Sequence, residues 1–513
     1  MTSFSFLRKI SQSQWLNIYL LAAFLIACKI MYNQHGWVNN DSLLYFEQAR
    51  LIAAGQLQQA FGLFTWILYP GLLAIIHKLT GLSIHVSAIS LNVLCFVIFV
   101  AGFQRLLIEA GAKLRTLHWG MLLLFSTQYI VGDVLGMLLR DEGFWAAYTW
   151  GLLFWLRALK SQHWKHILQF QAVMAVAVLF RIESSAYLLA LPLCALLLPQ
   201  LTWLQRLKLW LKANSLALLT TVIVAIGLLA GVLQQEQLGR LQEVFTQIAH
   251  LFTERITFIN QKAAILGHQV LGEDLDQYGT FSLWSSLVLI AIFKTLKVAG
   301  LPALAVILWP RQTWWSKLPE VTRYLVISTL TISFVVSLVI IFNVFILSSR
   351  YVIASGIVML LLAAFAITEW QQRWPKWVSK SYVLLLAVLF MYSLFDKHEI
   401  DLDRVAVDYI AQINPQHKPA FYDTENARFY ADQPYTDRIL GRVAFPQLVN
   451  KNEIDQYDYF MITISKDPAD IAYERQALQV LGEHQYKLVN TLYGWRNKTK
   501  ALIFVRHPEN KPN

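Results

Sequence analysis

Four stretches of this chain, Trp15–Tyr32, Ile84–Leu107, Asn214–Leu233 and Tyr324–Leu347, run apolar for long enough to cross a hydrocarbon core about 30 Å thick. Shorter apolar runs lie at Leu117–Val134, Gly143–Leu159, Ile167–Phe180, Ala186–Leu198, Ala299–Trp309, Val352–Ile367 and Tyr382–Phe395. A backbone that crosses lipid must satisfy its own polar groups, so such runs restrict the chain to helices. The expectation is an all-α polytopic membrane protein with about eleven spans. Charged residues make up only 15% of the chain, against roughly 25% in soluble domains. Arg8 and Lys9 lead straight into the first run with no small-residue cleavage site, which argues against a cleaved leader.

The formal net charge of +11 invites a nucleic-acid partner, but its distribution points elsewhere. Cations recur in every second loop: Arg8/Lys9, Arg105/Lys113/Arg115, Arg157/Lys160/Lys165, Arg206/Lys208/Lys212, Arg311/Lys317/Arg323 and Arg373/Lys376/Lys380. That alternation is the positive-inside pattern. It places the N-terminus in the cytoplasm and, after an odd number of spans, the C-terminus outside. The basic charge thus reports topology, and no nucleic acid is expected. Cys28, Cys95 and Cys194 all fall within apolar runs and read as packing residues.

On the outer side the sequence leaves two sizeable segments, several tight turns and a tail. In the first segment, Asn33–Thr65, the spacing of Leu44, Tyr45, Ala49, Ile52 and Ala53 predicts a helix over Ser42–Ala54 that stops at Gly55. In the second, Gln234–Thr280, an apolar stripe from Leu238 to Phe252 predicts an amphipathic helix. After Phe395 the composition turns polar. Helices are predicted at Asp401–Ile413 and Asp470–His484, and strands at Tyr459–Ser465, Tyr486–Leu492 and Ala501–Val505. The division is a membrane domain over 1–395 and a small α/β domain over 396–513, outside the membrane.

Ionisable groups beside or within spans are costly and invite a functional reading. Asp41 is open to two: a general base, or the N-cap of the helix that begins there, a position Asn39, Asn40 or Ser42 could fill as well. Tyr45, one turn on, either lines a site or sits in the aromatic belt. In Arg140-Asp141-Glu142, either carboxylate could hold a divalent metal ion or orient an acceptor, and Arg140 could meet a phosphate. The plain alternative is a solvated turn with acids at a helix N-terminus. Arg181-Ile182-Glu183 lies between runs of 13–14 residues, roughly 20 Å of helix, so the turn is expected to be recessed, with an Arg181–Glu183 ion pair as the competing account. Arg350 and Tyr351 stand between two apolar runs with almost no loop. A guanidinium there suits a lipid phosphate, specific or merely part of the bilayer surface. Lys294 and Lys297 interrupt Phe281–Trp309, as an interfacial helix or a cationic site. No Gly-rich phosphate loop, metal-spaced His/Cys cluster or serine-hydrolase elbow is visible.

In order and spacing, these residues resemble the GT-C class of integral membrane glycosyltransferases, in the bacterial branch related to protein O-mannosyltransferases and the aminoarabinose transferase that acts on lipid A. The resemblance is carried by Asp41 with Tyr45 and Ala49, by Tyr69-Pro70-Gly71-Leu72-Leu73 leading to Gly81, and by Arg140-Asp141-Glu142. Phe180-Arg181-Ile182-Glu183 and Ser349-Arg350-Tyr351 complete it, over residues 10–395. It implies a polyprenyl-phosphate-linked sugar as donor and a periplasmic acceptor (glycolipid, glycan or protein) at the bacterial inner membrane. It further implies Asp41 as base, Arg350 and Arg181 on the donor phosphate, and Asp141 or Glu142 at an acceptor or metal site. Asn40 and Ser42 flank Asp41 where many O-mannosyltransferase relatives carry an acidic pair, which leaves metal dependence and acceptor type open. Two rivals remain: a transporter or flippase for lipid-linked sugars, and a non-catalytic assembly protein presenting its C-terminal domain.

Overall fold

A computed structural model describes residues 10–234, 254–309, 314–395, 401–435, 441–494 and 497–506. They divide into two units, 10–31 with 64–395, and 32–63 with 401–506. The predicted stripe from Leu238 to Phe252 lies outside the described residues.

The first unit is helical. Among the described residues, six helices are long and apolar enough to cross a membrane: Gln12–Asn33, Ile84–Glu109, Asp276–Lys297, Glu320–Val344, Ile353–Trp370 and Lys376–Phe395. Trp203–Ala213 and Ser215–Leu229, bent by 57° at their junction, add a seventh if they act as one span. Of the other expected runs, Gly143–Leu159 lies in the continuous helix Asp141–Ser161, and the rest form shorter or interrupted helices. Leu114–Phe125 gives way to a π-helical turn at Gln128–Val134, and Ser184–Ala190 tightens into a 3₁₀ segment, Leu191–Leu197, where Pro192 removes a backbone donor. Ile353–Trp370 is buried along most of its length, whereas Lys376–Phe395 leaves Leu384, Val388 and Tyr392 exposed. An exposed apolar face on a bilayer-length helix is what lipid contact requires.

The centre of this unit is the helix Asp141–Ser161, packed between Ile84–Glu109 and Trp164–Phe180. Small residues permit the approach: a Cβ at Gly143 would collide with the Phe180 ring, and one at Gly151 would lie 2.5 Å from Met174 Sδ. Gly143 therefore brings the end of Trp164–Phe180, and the arginine that follows it, up to the start of Asp141–Ser161.

The second unit is α/β. Its sheet comprises β1 (Ala420–Tyr422), β2 (Tyr459–Ser465), β3 (Tyr486–Tyr493) and β4 (Thr499–Arg506), in the order β1-β2-β4-β3. β1 runs parallel to β2, and β4 is antiparallel to both β2 and β3. Alternate side chains feed two cores. Phe460, Ile462, Leu502 and Phe504 pack with Phe445, Tyr473 and Leu481, while Tyr459, Met461, Ala501 and Ile503 pack with Leu402, Ala406 and Ile410. The helices Leu402–Ile413 and Pro468–Glu483 and the three longer strands lie within a few residues of the sequence expectation.

Residues 32–63 belong to this same unit. Their helix Asn40–Ala53 buries Leu43, Tyr45, Phe46 and Ala49. Three polar contacts tie the preceding turn to the C-terminal segment. Arg404 Nη1 donates to the His35 carbonyl (2.5 Å), Asn426 Nδ2 to that of Val38 (3.0 Å), and the Val38 N–H to the Tyr430 hydroxyl (3.3 Å). Gly36 makes the turn possible: its φ is +82°, and a Cβ there would meet Arg404 Nη1 at 2.8 Å. At the end of β1, Asp423 is buried and accepts from the Thr463 N–H (2.8 Å) and the Tyr473 hydroxyl (3.2 Å). Burial pushes its carboxyl up to about 7. Asp403, accepting from the Thr424 hydroxyl at 3.0 Å, is pushed up to about 6, again by burial.

Candidate active site

The helix Asp141–Ser161 begins at its acidic pair, where a helix N-terminus favours negative charge. The turn before it is pinned by side chains from two other helices. The Tyr69 hydroxyl is shared between Asn92 Oδ1 (2.8 Å) and the Leu138 carbonyl (3.0 Å). Asn92 Nδ2 donates to the Leu139 carbonyl (2.8 Å) and to Glu142 Oε2 (2.9 Å). Leu138 itself takes a φ of +53°, unusual for a bulky residue, and the network holds it there. Glu142 is fully buried, and its other oxygen has no hydrogen-bond partner among the described residues.

Asp141, pinned in this way, meets two guanidinium groups. Arg181 follows directly on Trp164–Phe180, where extended backbone ends the helix, and donates through Nη1 to Asp141 Oδ1. Arg350 sits in the short turn Ser349–Tyr351, whose start is capped by the Ser348 hydroxyl. It reaches Asp141 Oδ2 through Nη2 at 2.8 Å and through Nε at 3.1 Å. Arg181 is further held by the Tyr351 ring, 4.9 Å from its guanidinium carbon, by the Phe144 ring at 5.9 Å, and by Glu183 Oε2 at 3.5 Å.

Exposure separates the roles. The side chain of Asp141 is 0% exposed and that of Arg181 5%, but that of Arg350 is 23%. A buried carboxylate between two cations offsets their repulsion and fixes their planes. Arg181 is enclosed. Arg350 is bound to Asp141 through its Nε/Nη2 edge and keeps part of its side chain exposed.

The structure thus brings Asp141, Arg181, Glu183, Arg350 and Tyr351 together. Both readings of Arg181 meet here, since its turn is buried and its Glu183 ion pair forms, while Asp141 is the closer partner. Arg140 lies over the Phe64 ring, 5.5 Å from its centroid. Asp41 and Tyr45 belong to the other unit. There Asn39, not Asp41, caps the helix, its side chain accepting from the Asp41 N–H at 2.9 Å, and Tyr45 is buried. The capping role open to Asp41 from sequence is therefore filled by its neighbour. At the acidic pair, guanidinium donors meet both Asp141 oxygens, and Asn92 meets one oxygen of Glu142. No cluster of three or more Asp, Glu, His or Cys suited to a metal ion occurs among the described residues.

Sequence reasoning misses Asn92, although a carboxamide well inside the apolar run Ile84–Leu107 is the available signal.

No family model and no curated protein matches the sequence. Among solved structures, the chain is similar to ArnT from Cupriavidus metallidurans bound to undecaprenyl phosphate, at 12% identity over 98% of this chain and 100% of that one, with a TM-score of 0.38. That overlap is too loose to assign a function.

Proposed function

We propose that the chain is a membrane glycosyltransferase that moves one sugar from a polyprenyl-phosphate-linked donor to a cell-envelope acceptor, a glycolipid, glycan or protein. In this reading it sits in the bacterial inner membrane with its N-terminus cytoplasmic and its C-terminal unit periplasmic. The observation that carries the reading is the partly exposed Arg350 guanidinium, pre-oriented on buried Asp141 with Arg181 behind it. The motif resemblance at Asp41, Tyr69–Leu73, Arg140–Glu142, Phe180–Glu183 and Ser349–Tyr351 supports it.

The chemistry follows from charge development. An acceptor hydroxyl attacks the anomeric carbon as its proton passes to Asp41, so that a new C–O bond forms while the bond to the phosphate oxygen breaks. The lipid phosphate departs with the electron pair, and its growing negative charge is met by Arg350. Because Asp141 is already bound by guanidinium donors, cationic side chains rather than a metal ion are the favoured partners of the leaving phosphate. No nucleotide-binding fold is needed when the lipid phosphate is itself the leaving group.

The test is sugar transfer from a polyprenyl-phosphate-sugar donor in membranes carrying matched amounts of wild type, Asp41→Asn and Arg350→Ala. Asp41→Asn is expected to lose about 10²-fold or more in transfer while still binding donor, as loss of a general base requires. Arg350→Ala is expected to weaken donor binding as well. Full transfer by Asp41→Asn refutes the base assignment. Passage of the donor across vesicles by both variants, without transfer, favours the flippase instead.

A further inference from the structure

The corner between Trp203–Ala213 and Ser215–Leu229 is held by side chains at both ends of the first helix. At the corner itself, the buried amide of Gln171, on Trp164–Phe180, places Nε2 2.9 Å from the Lys212 carbonyl, the Ala213 carbonyl and the Ser215 hydroxyl. The last carbonyls of a helix lack intrahelical partners, so this amide ends the first helix where the second begins. The start is fixed as well. Thr202 and Gln205 form a reciprocal capping box, and Arg206 donates to the Leu196 (3.1 Å) and Leu201 (2.9 Å) carbonyls. A helix anchored at both ends before a 57° bend keeps a direction of its own.

Around its axis Trp203–Ala213 has three sides. At about 100° of turn per residue, Leu209 and Ala213 share one side, and both are buried against the protein. The far side carries Trp203, Leu204 and Leu211, which are 65%, 59% and 44% exposed. Beside it runs a polar strip of Gln205, Lys208 and Lys212, the first two exposed and the third half-buried. In bulk solvent the apolar side would be uncovered, and inside the hydrocarbon the lysines would be costly. A protein side, a lipid side and a headgroup side are what a helix has when it lies in the membrane interface. Ser215–Leu229, which buries no side chain and carries no charge, then turns into the hydrocarbon.

The lysines indicate which lipid. Lys212 Nζ stands 5.1 Å from the ring centroid of Trp164, itself 47% exposed, so an interfacial aromatic adjoins the same strip. From 184 to 235 the sequence contains no Asp or Glu, so this stretch supplies no carboxylate for its cations. Such cations at a lipid edge enrich anionic headgroups, by about fivefold for each one near the surface. We infer that Trp203–Ala213 is an in-plane interfacial helix whose Lys208 and Lys212 recruit the phosphates of anionic phospholipids. The bent pair then does not act as one span, since only Ser215–Leu229 enters the hydrocarbon.

The experiment attaches bimane to Leu204→Cys, Leu211→Cys or Gln205→Cys, one at a time, in the full chain reconstituted in bilayers. Labelling of the unmodified chain at Cys28, Cys95 and Cys194 is measured in parallel and subtracted. Quenching is read with phosphatidylcholine or phosphatidylglycerol carrying a nitroxide at a shallow or a deep acyl position. At Leu204 and Leu211 alike, shallow nitroxides should quench more than deep ones, and Gln205 should be quenched least. At equal mole fraction, phosphatidylglycerol should quench Leu204 about twofold or more over phosphatidylcholine, and Lys208→Gln with Lys212→Gln should remove that preference. Stronger quenching by deep nitroxides at either leucine means that the helix crosses with its neighbour, and overturns the inference. Absence of quenching at both leucines, in chains whose Tm matches wild type, means that protein or water covers this side and overturns it equally. Equal quenching by the two headgroups, or a preference that survives in the double variant, overturns the anionic-lipid partner.

Discussion

Replacing Asp423 by asparagine should make the C-terminal unit indifferent to a pH range that now weakens it. In the folded protein burial holds the Asp423 carboxyl at about 7, whereas an exposed aspartate titrates near 3.9. Between those values the folded state keeps a proton that the unfolded chain has released, so stability falls as pH rises. The contribution is intact below about pH 4 and lost by the time pH passes 7. From pH 5 to pH 8, linkage gives a loss of about 3 kcal/mol for this one group. The amide of Asp423→Asn would keep an acceptor for the Thr463 N–H and the Tyr473 hydroxyl but has no proton to lose. Asp403, pushed up to about 6, leaves a smaller slope at the acidic end. The assay is amide hydrogen exchange in the full-length protein, read from peptides covering β1 and β2 and corrected for intrinsic exchange at each pH. Wild type should open more readily at pH 8 than at pH 5, and Asp423→Asn should remove most of the difference. A wild type more protected at pH 8, or a variant with the same slope, refutes the reasoning.

Other expectations concern the membrane unit. Asp141→Ala leaves Arg181 buried against Arg350 with only Glu183 to offset it, and should lower stability by about 3–5 kcal/mol, read as a fall in Tm in detergent. Adding Arg181→Leu should cost less than the sum of the two single changes. Additivity would show that the pair is not coupled. Asn92→Leu strips the Leu139 carbonyl and Glu142 of a buried donor and should cost about 1–3 kcal/mol for each group orphaned, with Tm as the readout. A neutral Asn92→Leu would mean that the turn does not depend on this network. Gly143→Ala drives a methyl into Phe180 and should cost about 1–3 kcal/mol, with transfer activity falling alongside Tm as Arg181 is displaced.

How much is legible in the sequence differs between the elements and the site. Helices such as Ile84–Glu109 and Ile353–Trp370 can be read because bilayer length and continuous apolarity permit little else. The run at Phe281–Trp309 is harder. Lys294 and Lys297 look like an interruption, yet they form the last turn of Gly279–Lys297, where cations favour the helix dipole, and the break falls at Gly300. Strand β1 is three residues long and gives no periodicity to read. The candidate residues stand out one by one because charge in an apolar setting is conspicuous. That Arg181 and Arg350 share Asp141 is not legible, because the three lie on separate turns and only packing brings them together. For the same reason the grouping of residues 32–63 with the C-terminal unit leaves no trace, since contacts such as His35 with Arg404 join residues hundreds of positions apart.

That grouping has a consequence for how the protein is made. The helix Asn40–Ala53 leaves the ribosome early, but Phe429, which packs on Phe46, and Tyr430, which holds the preceding turn, come late. At about 5–20 residues per second, synthesis of the intervening 64–400 takes roughly 20–70 s, far longer than helices need to form. Through that interval the buried side of the helix lacks its C-terminal partners. The nascent chain must therefore shelter Phe46 and its neighbours by transient contact or with a chaperone, and any truncation before residue 401 leaves them stranded. The late arrival of the C-terminal segment means that this unit can be completed only after the whole membrane region has been synthesised.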